Sequence, residues 1–312
     1  MLKEFLVGST GFVGSNLAEQ HQFTGLFNSK NIENAYDQEP DLLVYAGVRA
    51  EMFLANKDPE ADRRHIEDAI ENIRRINPKE CVLISSIAVY QDTHGADEDT
   101  DIDESQLSAY GANRRYLERW VEENIENHLI IRLPAIFGKG LKKNFLYDFI
   151  HRIPPMLKTE TFDELSKKAP VLREFYMDQG NGFYKCVELS ALDELVLKHY
   201  FDLLDYSALR FTDSRSVYQF FDLKKLWNHI ALARAAHLDV LNLATPPISV
   251  QAVYFALTHE LFENYLPKEP FNYDLHTAHC KLFGREDGYI MSAAEEMRSI
   301  REFIISEGGR AV

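Results

Sequence analysis

Phe5-Leu-Val-Gly8-Ser-Thr-Gly11-Phe-Val-Gly14-Ser-Asn16 stands at the head of the chain. Its apolar start reads as a buried strand that stops at Gly8 and turns into a helix. Glycines at 8, 11 and 14 let the backbone turn tightly and come close to a pyrophosphate. The helix that follows presents free N–H groups and the positive end of its dipole to such an anion. Gly8, Ser9, Thr10, Gly11, Phe12, Val13 and Gly14 are therefore candidate dinucleotide contacts. A glycine triplet alone is a weak signal, and a merely glycine-rich turn is the competing reading. What gives this one meaning is its place between a strand-like and a helix-like run.

Strand-like runs recur at Phe5–Val7, 41–46, 81–84, 129–132 and 240–243, with a weaker one at 23–27. Near-continuous apolar strands imply burial on both faces, as in a parallel sheet. Helical spacing falls between them. Ile66, Ala69, Ile70 and Ile73 keep it, as do Leu117, Trp120 and Val121, then Val250, Val253, Leu257 and Leu261. Ser249 is the expected N-cap of the last of these. Alternating strand and helix predicts an α/β, doubly wound, Rossmann-like parallel sheet. Between Ile153 and Ser216 the rhythm breaks, with Pro154-Pro155, Pro170 and Gly180-Asn-Gly182 before helix-like text at 189–204. A second irregular piece runs from Pro267 to Tyr289, ahead of a final helix near 293–305. The expected division is a dinucleotide-binding domain of residues 1–150 plus about 219–262. The remainder, 151–218 plus about 263–312, forms a smaller substrate lobe.

The 312 residues carry a formal charge of −15 at pH 7, with a pI of about 5.2. Such a chain is repelled by a phosphate backbone, so nucleic acid is not an expected partner. Short pairs such as Arg74-Arg75 and Lys167-Lys168 read as solvated helix faces. No apolar run is long enough to span a bilayer, and no secretory leader is read at the start. Three scattered cysteines, Cys81, Cys186 and Cys280, suggest reduced thiols and a cytoplasmic setting. His276-Thr-Ala-His279-Cys280 has metal-like spacing but no clear fourth ligand, so packing or substrate contact is expected and no metal site.

Three features fall in order after the glycine loop: Ile84-Ser85-Ser86-Ile-Ala-Val89-Tyr90 at a strand end, Tyr110-Gly-Ala-Asn-Arg114 opening a helix, and Arg132-Leu-Pro134-Ala135 ending the next strand. Ligands of a doubly wound sheet bind beyond the carboxyl ends of its strands, where all three converge. Ala46, Ser85 and Pro134 join the candidate cofactor contacts there. Tyr110 and Arg114 are four apart and share a helix face.

In these residues the chain resembles the extended short-chain dehydrogenase/reductase family of nucleotide-sugar epimerases, dehydratases and reductases. The resemblance covers residues 1–150 well and continues weakly through 216–222 and 242–247. It implies Ser86 as the catalytic hydroxyl and Tyr110 as the acid/base of a Tyr-x-x-x-Lys motif whose lysine is here Arg114. A tyrosine of ordinary pKa, about 10, is a poor base at neutral pH. A fixed cation beside it favours the phenolate, and the serine hydrogen-bonds the sugar oxygen while hydride moves to or from the nicotinamide. Arginine supplies charge and donors in a different, planar geometry. Ala135 stands where such enzymes often carry an asparagine. Asn144 and Tyr218 are the remaining implied substrate contacts.

Asn28-Ser29-Lys30 lie about 20 residues after the first glycine, where an acid would hold the ribose 2′-hydroxyl. No acid is present, and serine and lysine suit a 2′-phosphate, so the expectation leans to NADP over NAD. The resemblance further implies a nucleotide-sugar substrate and a homodimer through Tyr116, Trp120 and Glu123. The alternative is a non-catalytic NAD(P)-binding sensor or scaffold of the same fold, for which Arg114 and Ala135 speak.

Overall fold

The computed structural model describes residues 2–309 and Ala311. The chain opens with β1 (Glu4–Val7), α1 (Phe12–Gln20), β2 (Gly25–Phe27) and β3 (Leu42–Tyr45). Then come α2 (Met52–Lys57), α3 (Pro59–Ile76), β4 (Cys81–Ser86), α4 (Ala109–Asn124) and β5 (His128–Leu133). The strand Val240–Asn242 completes a six-stranded sheet in the order Val240–Asn242, β5, β4, β3, β1, β2. Every neighbouring pair is parallel, which is the doubly wound arrangement expected from the apolar runs.

Alternate strand residues point to opposite faces, and both faces are covered. Leu6, Val44, Val82, Leu129 and Ile131 pack with Leu17 of α1 and with Leu226 and Ile230 of the helix Leu226–Ala235. Phe5, Val7, Leu43, Leu83 and Ile130 pack with Ile66, Ile70 and Ile73 of α3 and with Leu117 and Val121 of α4. Local chemistry sets the limits of α3. Asp58 caps it by accepting from Ala61 N at 3.0 Å, and Pro59 supplies a pre-set first turn. Arg74 and Arg75 sit in its last turn, where cations suit the dipole, and Asn77 ends it in the left-handed conformation at φ 51°.

The chain divides into two compact units. The first takes residues up to Leu141, then Val217–Ile248 and Asn272–Ile300; the second takes Lys142–Ser216, Ser249–Phe271 and the chain from Arg301. The limits differ from those expected. Residues 142–150 and 249–262 lie in the second unit because their aromatic side chains share one cluster, with Phe145–Phe262 at 6.1 Å and Phe149–Tyr254 at 5.7 Å between ring centroids. Residues 272–300 lie in the first unit, held by Gln219 Nε2 donating to Leu275 O at 2.8 Å and Glu296 accepting from Phe220 N at 2.7 Å.

The second unit holds a three-stranded antiparallel sheet of Met156–Lys158, Phe183–Cys186 and Tyr176–Asp178. The hairpin turns at Gly180 and Gly182, both at positive φ. Its helix Ala191–Leu203 begins in a capping box of Ser190 and Asp193. The helix Val250–Thr258 is capped by Ser249 as expected, but it stops before Leu261. His259 takes the left-handed conformation there and leaves Leu261 exposed. Among the described residues, no helix is long and apolar enough to cross a membrane.

Candidate functional site

The chain steps from β1 outward to β2, then crosses back to β3 on the other side of β1. That reversal is where doubly wound sheets open a crevice at their carboxyl ends. The loop after β1 lies in it. Gly8 sits at φ +87°, and a Cβ there would come within 2.7 Å of Gly47 N beyond β3. Gly14, in the first turn of α1, is packed so closely that a Cβ would fall 2.6 Å from the Gly8 carbonyl carbon. The loop is pinned by Gly11 N donating to Gly8 O at 2.9 Å, and by Gly8 N and Ser9 N donating to Phe27 O at 2.8 and 3.0 Å. Thr10 and Gly11 are exposed, and Phe12 and Val13 are half-buried against the core. Gly11 caps α1 without a side-chain hydrogen bond, so first-turn N–H groups face the crevice as an anion cradle. The missing side chains at 8 and 14 let α1 start hard against the turn, and a helix N-terminus with free N–H groups of this kind suits a dinucleotide pyrophosphate.

Beyond β2, Asn28 is held in a turn. Its N donates to Asn31 Oδ1 at 2.7 Å, and its Oδ1 accepts from Lys30 N at 2.9 Å. Ser29 and Lys30 are exposed at its tip. Ala46 follows β3 half-buried, with its N donating to Val7 O at 2.9 Å. Pro134 is half-buried between β5 and the strand Ala135–Phe137.

Ser85 and Ser86 end β4, and they face different ways. Ser85 Oγ donates inward to Glu118 at 2.5 Å, so that hydroxyl serves a buried carboxylate. Ser86 Oγ accepts from Ala88 N at 3.2 Å, which leaves its proton to donate. The turn Ile87–Val89 then meets the start of α4. A Cβ on Gly111 would overlap the Ala88 carbonyl oxygen, so only glycine lets the helix seat so closely. Tyr110 is the residue before Gly111. It is buried, and its N donates to Asn56 Oδ1 of α2 at 2.9 Å.

Arg114 lies one turn further along, 4% exposed, with its guanidinium carbon 4.0 Å above the Tyr110 ring. Its donors are committed. Nη1 donates to Asp62 Oδ2 at 2.6 Å, and Nη2 donates to Arg49 O. Asn113 Nδ2 reaches the same Asp62 oxygen at 2.9 Å.

Behind Ser85 runs a polar network not singled out from the sequence. Glu118 is fully buried and accepts from Arg132 Nε at 3.1 Å and Nη2 at 2.8 Å, and from Arg115 Nη1 at 3.1 Å. Arg132 Nη1 donates to Tyr90 Oη at 2.6 Å. Burial raises the Tyr90 phenol above its ordinary value against the pull of Arg132, so the hydroxyl stays protonated and donates to Asp97 O at 2.9 Å. Asn242 Nδ2 donates to Tyr90 Oη at 2.9 Å, and Asn242 N donates to Glu98 at 2.6 Å. The signal was present: a charge at the end of Leu129-Ile-Ile-Arg132, and Glu118 two turns beyond Tyr110. His276 meets Tyr289 Oη at 3.2 Å, and Tyr289 donates to Asp274 at 2.6 Å. Tyr218 is half-buried beside Phe220 and Tyr273. In the second unit, Asn144 caps the helix Phe145–His151 by accepting from Leu146 N at 3.0 Å and Tyr147 N at 3.2 Å.

A model of the NAD dependent epimerase/dehydratase family matches residues 5–164. No curated protein matches the sequence. Among solved structures, dTDP-4-dehydrorhamnose reductase from Yersinia enterocolitica is similar at 13% identity and TM-score 0.63, covering 98% of this chain and 100% of that one. The Bacillus anthracis dTDP-4-dehydrorhamnose reductase, in complex with NADP, is similar at 16% identity and TM-score 0.61, covering 98% and 99%. UDP-glucose 4-epimerase from Thermotoga maritima, with UDP-glucose, is similar at 13% identity and TM-score 0.59, covering 97% and 98%. At these identities the likeness is one of fold.

Proposed function

Since the chain belongs to the NAD dependent epimerase/dehydratase family, we propose that it is an epimerase, dehydratase or reductase of a nucleotide-linked sugar, with Tyr110 as its acid/base. The carrying observation is the close seating of Gly111 against Ala88, which brings the turn bearing Tyr110 beside the turn that follows Ser86. Gly8–Gly14 and the N-terminus of α1 would hold the pyrophosphate of the dinucleotide. Ser29 and Lys30, with no acid beside them, suit a 2′-phosphate, so NADP is favoured over NAD. The chemistry supplied by the bound nicotinamide is exchange of a hydride with the sugar carbon that bears the reacting oxygen. Ser86 donates its free hydroxyl proton to that oxygen and orients it. Tyr110 takes the oxygen's proton on oxidation and returns it on reduction.

A second reading, a dinucleotide-binding protein without turnover, is favoured by one observation. The Arg114 guanidinium is spent on Asp62 and the Arg49 carbonyl. Tyr110→Phe separates the two readings. Turnover of a nucleotide sugar is expected to be lost while the Kd for NADPH, measured by fluorescence titration, stays within roughly 3-fold. The wild type is expected to bind NADPH more tightly than NADH in the same titration. A Tyr110→Phe enzyme as active as wild type removes Tyr110 from the chemistry. Wild-type binding without turnover on any UDP-, GDP-, CDP- or dTDP-sugar favours the second reading.

A further inference from the structure

We infer that Asp62 is a positioning residue for Tyr110, acting through Arg114. The inference rests on the reading of Tyr110 as the acid/base group. Four acceptors from one stretch of chain converge on the turn Tyr110–Arg114. Asn56 Oδ1 takes the Tyr110 N–H at 2.9 Å, and Pro59 O takes Asn113 Nδ2 at 3.2 Å. Arg49 O takes Arg114 Nη2. Asp62 Oδ2 takes both Arg114 Nη1 at 2.6 Å and Asn113 Nδ2 at 2.9 Å.

The geometry at Arg114 follows from its shape. A guanidinium is planar, and its donors point outward in that plane. Bonds from two of its nitrogens to two fixed acceptors therefore fix the plane itself. Here the plane's centre lies 4.0 Å above the Tyr110 ring. The cation thus covers one face of the ring and restrains how the ring turns about its bonds. Both partners are nearly sealed from water, with side chains 4% and 8% exposed, so water does not compete for these donors. Asp62 is the charged member of the clamp. It comes from α3, 52 residues before Arg114, and its charge reaches the Tyr110 ring through the arginine.

A lysine at position 114 could not do this. It carries a point charge on a flexible stem and has no plane to fix. Arginine at 114 and aspartate at 62 work as a pair.

The test uses the full chain and two variants. Asp62→Asn keeps shape and one acceptor oxygen but loses the charge. Asp62→Glu keeps the charge and displaces it by one methylene, so it preserves the buried ion pair if Asp62→Asn fails to fold. Turnover, NADPH Kd and the 19F resonance of 3-fluorotyrosine incorporated at position 110 are measured for each. Misplacing a reacting group is expected to lower kcat on the order of 10- to 100-fold, with sugar KM and NADPH Kd within roughly 3-fold. The 19F line is expected to be single in the wild type and to broaden or split in the variants. An unmoved line with unchanged kcat, even with a lowered melting temperature, overturns the inference and leaves Asp62 purely structural. A proportional loss of kcat and NADPH affinity also overturns it, since the whole crevice would then have changed. If the wild type shows no turnover, the functional reading fails instead, and the 19F line alone decides the role of Asp62.

Discussion

Hydrogen in place of a methyl group at position 14 sets how closely α1 can approach the turn that precedes it. Gly14→Ala puts a carbon against the Gly8 carbonyl, which is backbone and cannot rotate away. The expected cost is about 1–3 kcal/mol of stability, as for other overpacked sites, read as a lowered urea midpoint. The cradle widens as the helix retreats, so NADPH affinity is expected to fall by more than stability alone would require. Undiminished NADPH binding would mean that the pyrophosphate lies elsewhere. At this scale the placement of the glycine turn before α1, of Ser86 at the end of β4 and of Tyr110 in the first turn of α4 was legible, because each belongs to a short contiguous motif. The partners of Arg114 were not, because Asp62 and Arg49 reach it across 52 and 65 residues of chain. Glu118 and Arg132 were missed for a related reason: each looks like an ordinary helix or strand charge until β4, β5 and α4 come together. Ser85 reads as a ligand contact from its place at a strand end, yet its hydroxyl serves the interior.

Among the elements, the helix Ala293–Ser306 carries an unusual anchor. Glu296 is fully buried and uses one oxygen to accept from Phe220 N at 2.7 Å and Thr245 Oγ1 at 3.3 Å. Its other oxygen has no hydrogen-bond partner among the described residues. Burial pushes the carboxyl up to about 8. The folded chain therefore holds a proton that the unfolded chain has released, between the ordinary carboxylate range and about pH 8. Stability from this group is full in acid and falls as pH rises through that window, by at most roughly 1.4 kcal/mol per pH unit. Glu296→Gln mimics the protonated form. It is expected to gain on wild type steadily from pH 5 to 8 in thermal melts, and a constant difference across that range would refute the assignment. Elements with both faces buried were legible as long apolar runs. The hairpin around Gly180-Asn-Gly182 was not, because Phe183-Tyr-Lys-Cys186 is half exposed and carries little hydrophobic period. Leu261 kept helical spacing but fell outside its helix, because His259 turned the backbone first.

For the molecule as a whole, alkaline weakening has a second source, in the other unit. Asp148, on the helix Phe145–His151, is pushed up to about 7 by burial. Its folded value again lies above its unfolded one, so its contribution also fades as pH rises, here between the ordinary aspartate range and about pH 7. The intact protein is therefore expected to be more stable at pH 5 than at pH 8. Asp148→Asn and Glu296→Gln lie in separate units, and their effects on that slope are expected to add. A wild-type melting temperature that rises from pH 5 to 8 and is unaltered by either change would contradict both assignments. The overall architecture was legible because a parallel sheet needs its helices between strands. The unit limits were not, because they depend on contacts such as Gln219 with Leu275 and Phe149 with Tyr254 that leave no local mark.

The sheet order also has a consequence during synthesis. Five of its six strands have been synthesised once Leu133 is made, but the outer edge of β5 waits for Val240–Asn242. At about 5–20 residues per second, the nascent chain carries that bare apolar edge for roughly 5–20 s. An open edge of this kind invites pairing with a neighbouring polypeptide. The window is a natural moment for a chaperone to shield the growing chain, and a pause in translation between those two points would lengthen the hazard without altering any residue of the finished protein.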